Sequence, residues 1–197
     1  VKLFYSPTSP FVRKVVACAI IRGIHPQISH IETNANNSPP ELLAANPLSK
    51  VPCLLTEDGL ALFDSPVICE YLDSIGDEPA LFPRAGTAES WHALKLQALG
   101  DGMMDAAVMR RGEQMRPCEA ARDANMARQK VAVTRSLDML ERDPPHRQLD
   151  IGSVTIACAL GYLDFRFAAE AWRTGRPRLE AWFGHIAAHP AIATTTP

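Results

Sequence analysis

The sequence predicts a chain in two parts: an α/β domain with a small mixed sheet over residues 1–78, and an all-α helical bundle over residues 87–197. Three observations lead there. Up to Ile75, short β-branched and aromatic runs alternate with stretches of helical periodicity, in the order β-α-β-α-β-β-α. After Pro83 long helical patterns succeed one another and no run reads as a strand. Between the two, Pro79 and Pro83 bracket a short segment, which makes residues 79–86 the linker.

The elements follow in order. Val1 to Tyr5 reads as a strand. Ser9 can cap the next helix with Pro10 at its first position, where a missing N–H costs nothing. Val12, Val15, Val16, Ala19 and Ile20 continue that helix to a stop at Gly23. Gln27 to Ile31 reads as a second strand, parallel to the first by the β-α-β rule. Ser38-Pro39-Pro40-Glu41 fits a capping box for a short helix through Leu42 and Leu43.

The stretch Val51 to Glu70 organises the first part: a strand, a hairpin turn at Glu57-Asp58-Gly59, a second strand and an abrupt helix start. There Ser65 reads as the cap and Pro66 as the first helical residue. Val67, Ile68, Tyr71, Leu72 and Ile75 then recur at helical spacing until Gly76. In the second part the patterns predict helices over Thr87–Arg111, Glu119–Glu141, Gly152–Trp172 and Pro177–His189. Asp150 is the expected cap of the third, with Leu149 and Val154 forming a hydrophobic staple.

Composition narrows the function. With 47% apolar and 21% charged residues and a net charge of −2, the chain carries no electrostatic signature for nucleic acid or an anionic membrane surface. No apolar run of about 18 residues stands out as a membrane span, and no signal-peptide pattern is read. The cysteines at 18, 53, 69, 118 and 158 are dispersed in apolar segments and form no CxxC, which predicts reduced, buried thiols in a cytoplasmic protein. The six histidines lack metal-ligand spacing, so no metal site is expected. Arg110-Arg111 reads as solvated, and Asp101 with Asp105 as a solvated helix face.

Two helix starts carry chemistry. Unpaired N–H groups and a hydroxyl at Ser65 suit a carboxylate. Val51 precedes a proline, so it is extended and its backbone can pair with a peptide-like ligand. Ser9 places a hydroxyl at the positive end of the first helix, where a thiolate would be favoured over a thiol.

Three strings then carry a family likeness: Ser6-Pro7-Thr8-Ser9-Pro10-Phe11-Val12-Arg13-Lys14, Asn46-Pro47-Leu48-Ser49-Lys50-Val51-Pro52, and Phe63-Asp64-Ser65-Pro66-Val67-Ile68-Cys69-Glu70-Tyr71-Leu72. With the two-part layout they resemble the cytosolic glutathione S-transferases, and Ala159 to Arg166 with Arg176 to Leu179 is similar to bacterial members. The resemblance implies a thioredoxin-like first domain and glutathione as co-substrate without a metal. It implies that Val51 pairs with the cysteinyl part of glutathione beside a cis Pro52, and that Asp64 and Ser65 hold the γ-glutamyl end. Asp64 stands where most members have Glu. Ser9 matches the catalytic position, with Ser6, Thr8 and Tyr5 as rival donors, and Phe11 would wall the site. Asp101 could reach the glutathione amine of a partner subunit. Serine in place of cysteine favours conjugation over disulfide exchange.

Met103 and Met104, from the second domain, are candidates to line a pocket for a small hydrophobic electrophile. A homodimer is expected. The alternatives are a non-catalytic glutathione- or partner-binding protein, and a glutathione-dependent isomerase or dehalogenase.

Overall fold

The structure, a computed structural model, describes residues 1–196. Four strands, β1 (Lys2–Tyr5), β2 (Ser29–Glu32), β3 (Cys53–Leu55) and β4 (Ala61–Leu62), form one mixed sheet in the order β2-β1-β3-β4. β1 and β2 are parallel, with Lys2 opposite Ser29, while β3 runs antiparallel to both β1 and β4. The helix α1 (Pro10–Ile21) makes the crossover that parallel pairing requires. Successive strand residues point to opposite faces. Leu3 accordingly enters the large core with Val15 and Cys18 of α1 and with Ile68 and Leu72 of α3 (Ser65–Ile75). Phe4 turns the other way, against Leu42 of α2 (Pro40–Ala45) and Cys53. This is a thioredoxin-like α/β unit with helices on both faces.

Local differences from the sequence reading have identifiable causes. The second strand begins at Ser29 because His25-Pro26-Gln27 closes a 3₁₀ turn first. Ser38 does not cap α2: its φ is 44°, its hydroxyl is hydrogen-bonded to that of Ser49, and Pro39 takes the cap position with no side-chain bond. At α3 the Asp64 carbonyl accepts the Ile68 N–H at 3.1 Å, which makes Asp64 the N-cap and moves Ser65 to the first helical position. The Ser65 hydroxyl is thereby released from capping.

The second part is helical: α4 (Ala88–Glu113), α5 (Ala120–Arg142), α6 (Ile151–Phe167), α7 (Pro177–Ala187) and α8 (Pro190–Ala193). The capping box at α6 is fully formed: Asp150 Oδ1 accepts the Ser153 N–H at 2.7 Å and Ser153 Oγ accepts the Asp150 N–H at 2.9 Å. α6 ends at Phe167, short of the expected Trp172, in a 3₁₀ turn closed by Ala171 at φ 45°. Pro190 divides the last expected helix into α7 and α8.

The stretch Ile151–Glu170 is long and apolar enough to cross a bilayer, but 72% of it is buried inside the fold. It is the central helix of the bundle, in contact with α4 on one side and α1 on the other. The α4–α6 crossing is close because it is lined with glycine: a Cβ on Gly152 would stand 2.6 Å from the Ala93 carbonyl oxygen, and one on Gly100 would stand 2.8 Å from Thr155 Cγ2.

Buried charges tie the two parts together. Lys14 of α1, 0% exposed, donates to Asp101 of α4 at 2.6 Å. Arg13 donates to the Ile192 carbonyl of α8 at 3.1 Å. Arg22 pairs with Asp73, whose carboxylate accepts the Leu81 N–H of the linker, and the Leu81 carbonyl accepts the Ile151 N–H. Arg110 is not solvated, as expected from sequence, but buried: it pairs with Glu170 and lies 4.1 Å over the Phe167 ring. Of the five free cysteines only Cys118 is exposed, again unlike the expectation.

Candidate functional site

Three chain segments meet at the junction of the sheet and the bundle. The first is the start of α1. Ser9 is held at φ −82° and ψ 122°, with its N–H on the Ser6 carbonyl, and its Oγ accepts the Val12 N–H at 3.3 Å. A hydroxyl whose oxygen is occupied by a cap still has its hydrogen free to donate. Ser9 can therefore hold the helix start and serve a ligand at once.

The second segment is the approach to β3. Buried Asn46 donates to the Lys50 carbonyl at 2.9 Å and accepts the Leu48 N–H at 3.0 Å. Ser49, at φ 50°, donates to the Ala35 carbonyl at 3.0 Å, and its hydroxyl is hydrogen-bonded to that of Ser38 at 3.0 Å. These bonds fix the loop that delivers Val51, and the Val51–Pro52 peptide is cis. The third segment is the start of α3, where the Phe63–Asp64 peptide is also cis, Ser65 is buried, and the first-turn N–H groups have no partner within the helix.

Two adjoining cavities result. One, of about 370 Å³, is lined by Phe11, Lys50, Val51, Pro52, Asp64 and Ser65, and by Asp101 and Asp105 from α4. The other, of about 420 Å³, is lined by Ser6, Thr8, Ser9, Thr33 and Asn34, with Val108 and Tyr162 as its bundle-side wall. Val51 belongs to both. The sequence-derived set is thus split over a cleft of two adjoining cavities, with Phe11, Pro52, Asp64 and Ser65 on the first, Ser9 on the second and Val51 on both.

Asp101 differs from its expected solvated setting. It lines the cleft, and burial raises its pKa against the opposing pull of Lys14, with Asp64 and Asp105 pushing the same way as burial. Burial also raises Asp105, opposed by Lys50. Three carboxylates and a lysine around one cavity offer both signs of charge to a zwitterionic ligand.

The remaining candidates lie elsewhere. Met103 and Met104 are 2% and 0% exposed in the core cluster, and neither lines the cleft, because the α4 face toward the cleft is the one carrying Asp101, Asp105 and Val108. Tyr5 packs on His30 with ring centroids 5.3 Å apart and lines neither cavity. Ser6 and Thr8 stay beside Ser9 in the second cavity. Sequence reasoning missed Thr33, Asn34, Val108 and Tyr162. Val108 was findable: Asp101, Asp105 and Val108 follow i, i+4, i+7 on one helix face. Tyr162 had no such signal, since it sits in a helix that is apolar all round. Among the described residues no group of three His, Cys, Asp or Glu is placed to hold a metal ion.

Comparison with known proteins agrees with this architecture. Residues 8–75 match the glutathione S-transferase N-terminal domain and residues 123–185 match the glutathione S-transferase C-terminal domain. The "Uncharacterized GST-like protein YibF" of Escherichia coli K12 is 38% identical over 202 aligned residues, covering 100% of this chain and 98% of that protein. A glutathione transferase family member from Pseudomonas fluorescens with bound glutathione superposes with a TM-score of 0.92 at 36% identity, over 100% of this chain and 98% of that one. A second structure of a glutathione transferase family member from that organism, with bound S-(propanoic acid)-glutathione, gives a TM-score of 0.88 at 36% identity over 100% and 99% of the two chains. On sequence and fold together, this chain belongs to the glutathione S-transferase family.

Proposed function

We propose that the protein is a glutathione transferase that activates the glutathione thiol as thiolate, with Ser9 as the donor, for attack on a small electrophile. The observation that carries this reading is the position of Val51, shared by the two cavities with Asp64 and Ser65 on one side and Ser9 on the other. A tripeptide lying along Val51 would put its γ-glutamyl end at the start of α3 and its sulfur at the start of α1. The Ser65 hydroxyl and first-turn N–H groups suit the γ-glutamyl carboxylate, and Asp64 with Asp101 suits the ammonium.

At neutral pH only about 3% of a free thiol with a pKa near 8.5 is ionised. A hydrogen bond from Ser9 and the positive end of α1 both favour S⁻. The thiol proton passes to water. The sulfur lone pair forms the C–S bond, and the leaving group departs with its own electron pair into the second cavity. A hydroxyl cannot form the mixed disulfide that thiol exchange needs, which supports conjugation. The Pseudomonas relative that holds S-(propanoic acid)-glutathione, itself a glutathione thioether, supports it as well.

We also propose a homodimer. Leu60 beyond β3, Val67 of α3 and Trp91 of α4 expose large apolar side chains, Trp91 at 65%, and a second copy is the partner these faces would bury.

The test is glutathione consumption with 1-chloro-2,4-dinitrobenzene and a panel of alkyl halides and activated alkenes. Conjugation above the spontaneous rate, falling by about 10²-fold or more in Ser9→Ala, is the expected result. Tight glutathione binding with no acceleration for any electrophile would favour a binding protein instead.

A further inference from the structure

The second cavity is not an apolar slot. Its sheet-side wall carries the hydroxyl and amide side chains of Ser6, Thr8, Ser9, Thr33, Asn34 and Asn36 among Pro7, Pro10 and Ala35, and among the described residues Tyr162 is the one with a polar side-chain group on the bundle-side wall. What stands behind that wall is cationic. Gly100 meets Thr155 and Arg110 lies over Phe167, so α4 and α6 run side by side in the same direction and level with each other. Arg111 lies three residues beyond Val108, and Arg166 four beyond Tyr162; each therefore continues, one helical turn on, the face that lines the cavity.

The two guanidiniums are half-buried without a carboxylate partner, whereas the other bundle arginines without one, Arg128, Arg135, Arg142, Arg147 and Arg178, are exposed. Arg110, Arg173 and Arg176 of the same bundle each pair with a carboxylate, whereas no acidic side chain lies within 4.0 Å of Arg111 or Arg166 among the described residues. Arg166 Nε is buried with no hydrogen-bond partner, although the guanidinium stacks 3.9 Å over Phe165. Both arginines act on the Tyr162 phenol, lowering its pKa against the larger, opposite effect of burial. Two half-buried cations without a carboxylate partner, each one helical turn beyond the cavity wall that carries the Tyr162 phenol, make an anion pole. The one acid on this cavity, Glu32, is exposed on the sheet side, where solvent screens it.

We propose that the electrophile of this enzyme is a small molecule carrying a carboxylate, which Tyr162, Arg166 and Arg111 hold at the bundle end of the cavity while its reactive carbon faces Ser9. This replaces the hydrophobic electrophile expected from sequence, and it rests on the glutathione-transferase reading of the cleft. The competing explanation is structural: both arginines stand near the C-terminal ends of their helices, where a cation is favoured by the dipole alone.

Two glutathione thioethers of nearly equal shape separate these possibilities without needing turnover. S-carboxymethylglutathione carries the anion, and S-carbamoylmethylglutathione is its neutral counterpart. Calorimetric titration of the parent should give at least about tenfold tighter binding of the carboxymethyl compound. In Arg111→Gln/Arg166→Gln, and separately in Tyr162→Phe, that preference should shrink to about threefold or less while affinity for glutathione itself stays within about twofold. Equal affinities in the parent, or a preference unchanged in both variants, would overturn the proposal and leave the arginines their structural role. A parent that binds no glutathione at all would overturn the transferase reading and this proposal with it.

Discussion

Ser9 does two jobs with one oxygen. It accepts the Val12 N–H, which Ser9→Ala would lose at a cost of about 1 kcal/mol to the fold, and its hydrogen is left for a ligand. The sequence showed this position because Ser-Pro is a helix-start signal by itself. The same signal misled at Ser65-Pro66, where the string reads alike whether Ser is the cap or the first helical residue. Only the acceptor of the Ile68 N–H, Asp64, decides it. Lys14 was illegible for a different reason: a lysine between Val12 and Val15 looks like an interruption of an apolar face, and its partner Asp101 lies 87 positions away. Removing that partner would strand a buried charge. Asp101→Ala is therefore expected to cost about 3–5 kcal/mol in denaturant unfolding, and Lys14→Met/Asp101→Ala should recover most of it. A loss below about 1 kcal/mol in the single variant would show that water reaches Lys14.

At the scale of elements, most helices and strands could be read from caps and periodicity, and the errors fall where packing overrides local pattern. Trp172 continues the apolar rhythm of α6, yet it joins the core from beyond the helix end, after Ala171 has turned left-handed. At the C-terminus Pro190 restricts His189 to an extended conformation and splits what periodicity alone joined. The α4–α6 crossing yields a paired prediction on glycine. Gly152→Ala sets a Cβ against a backbone carbonyl that cannot move aside, and should destabilise by about 1–3 kcal/mol. Gly184→Ala, at an exposed position of α7 with nothing within 4 Å, should stabilise by roughly 0.5–1 kcal/mol. Thermal or urea unfolding of both variants checks the contrast, and a shift of the same sign in the two would contradict it.

On the scale of the whole molecule, the two-part layout was plain from the disappearance of strand patterns after the linker. The site was half plain. Apart from Thr33 and Asn34, the sheet-side residues named above lie in three short strings, and Asp101, Asp105 and Val108 share one face of α4, while Tyr162 comes into position only through the pitch of α4 against α6. Tertiary register of that kind leaves no local trace in a helix that is apolar all round. The apolar side chains left exposed at this scale carry a prediction of their own. Sedimentation at micromolar concentration should show a dimer that Trp91→Ala weakens, and a monomer at every concentration would rule out the proposed assembly.

Thiol activation at the start of α1 is read directly by thiolate ultraviolet absorbance during glutathione titration of the parent and of Ser9→Ala across pH. The parent should show bound thiolate well below the free thiol's pKa of about 8.5, and the variant should bind glutathione yet lose that signal at neutral pH. Equal thiolate in both would contradict the role of Ser9 and move the donor to Ser6 or Thr8, which share its cavity. Binding without thiolate in the parent would contradict activation altogether.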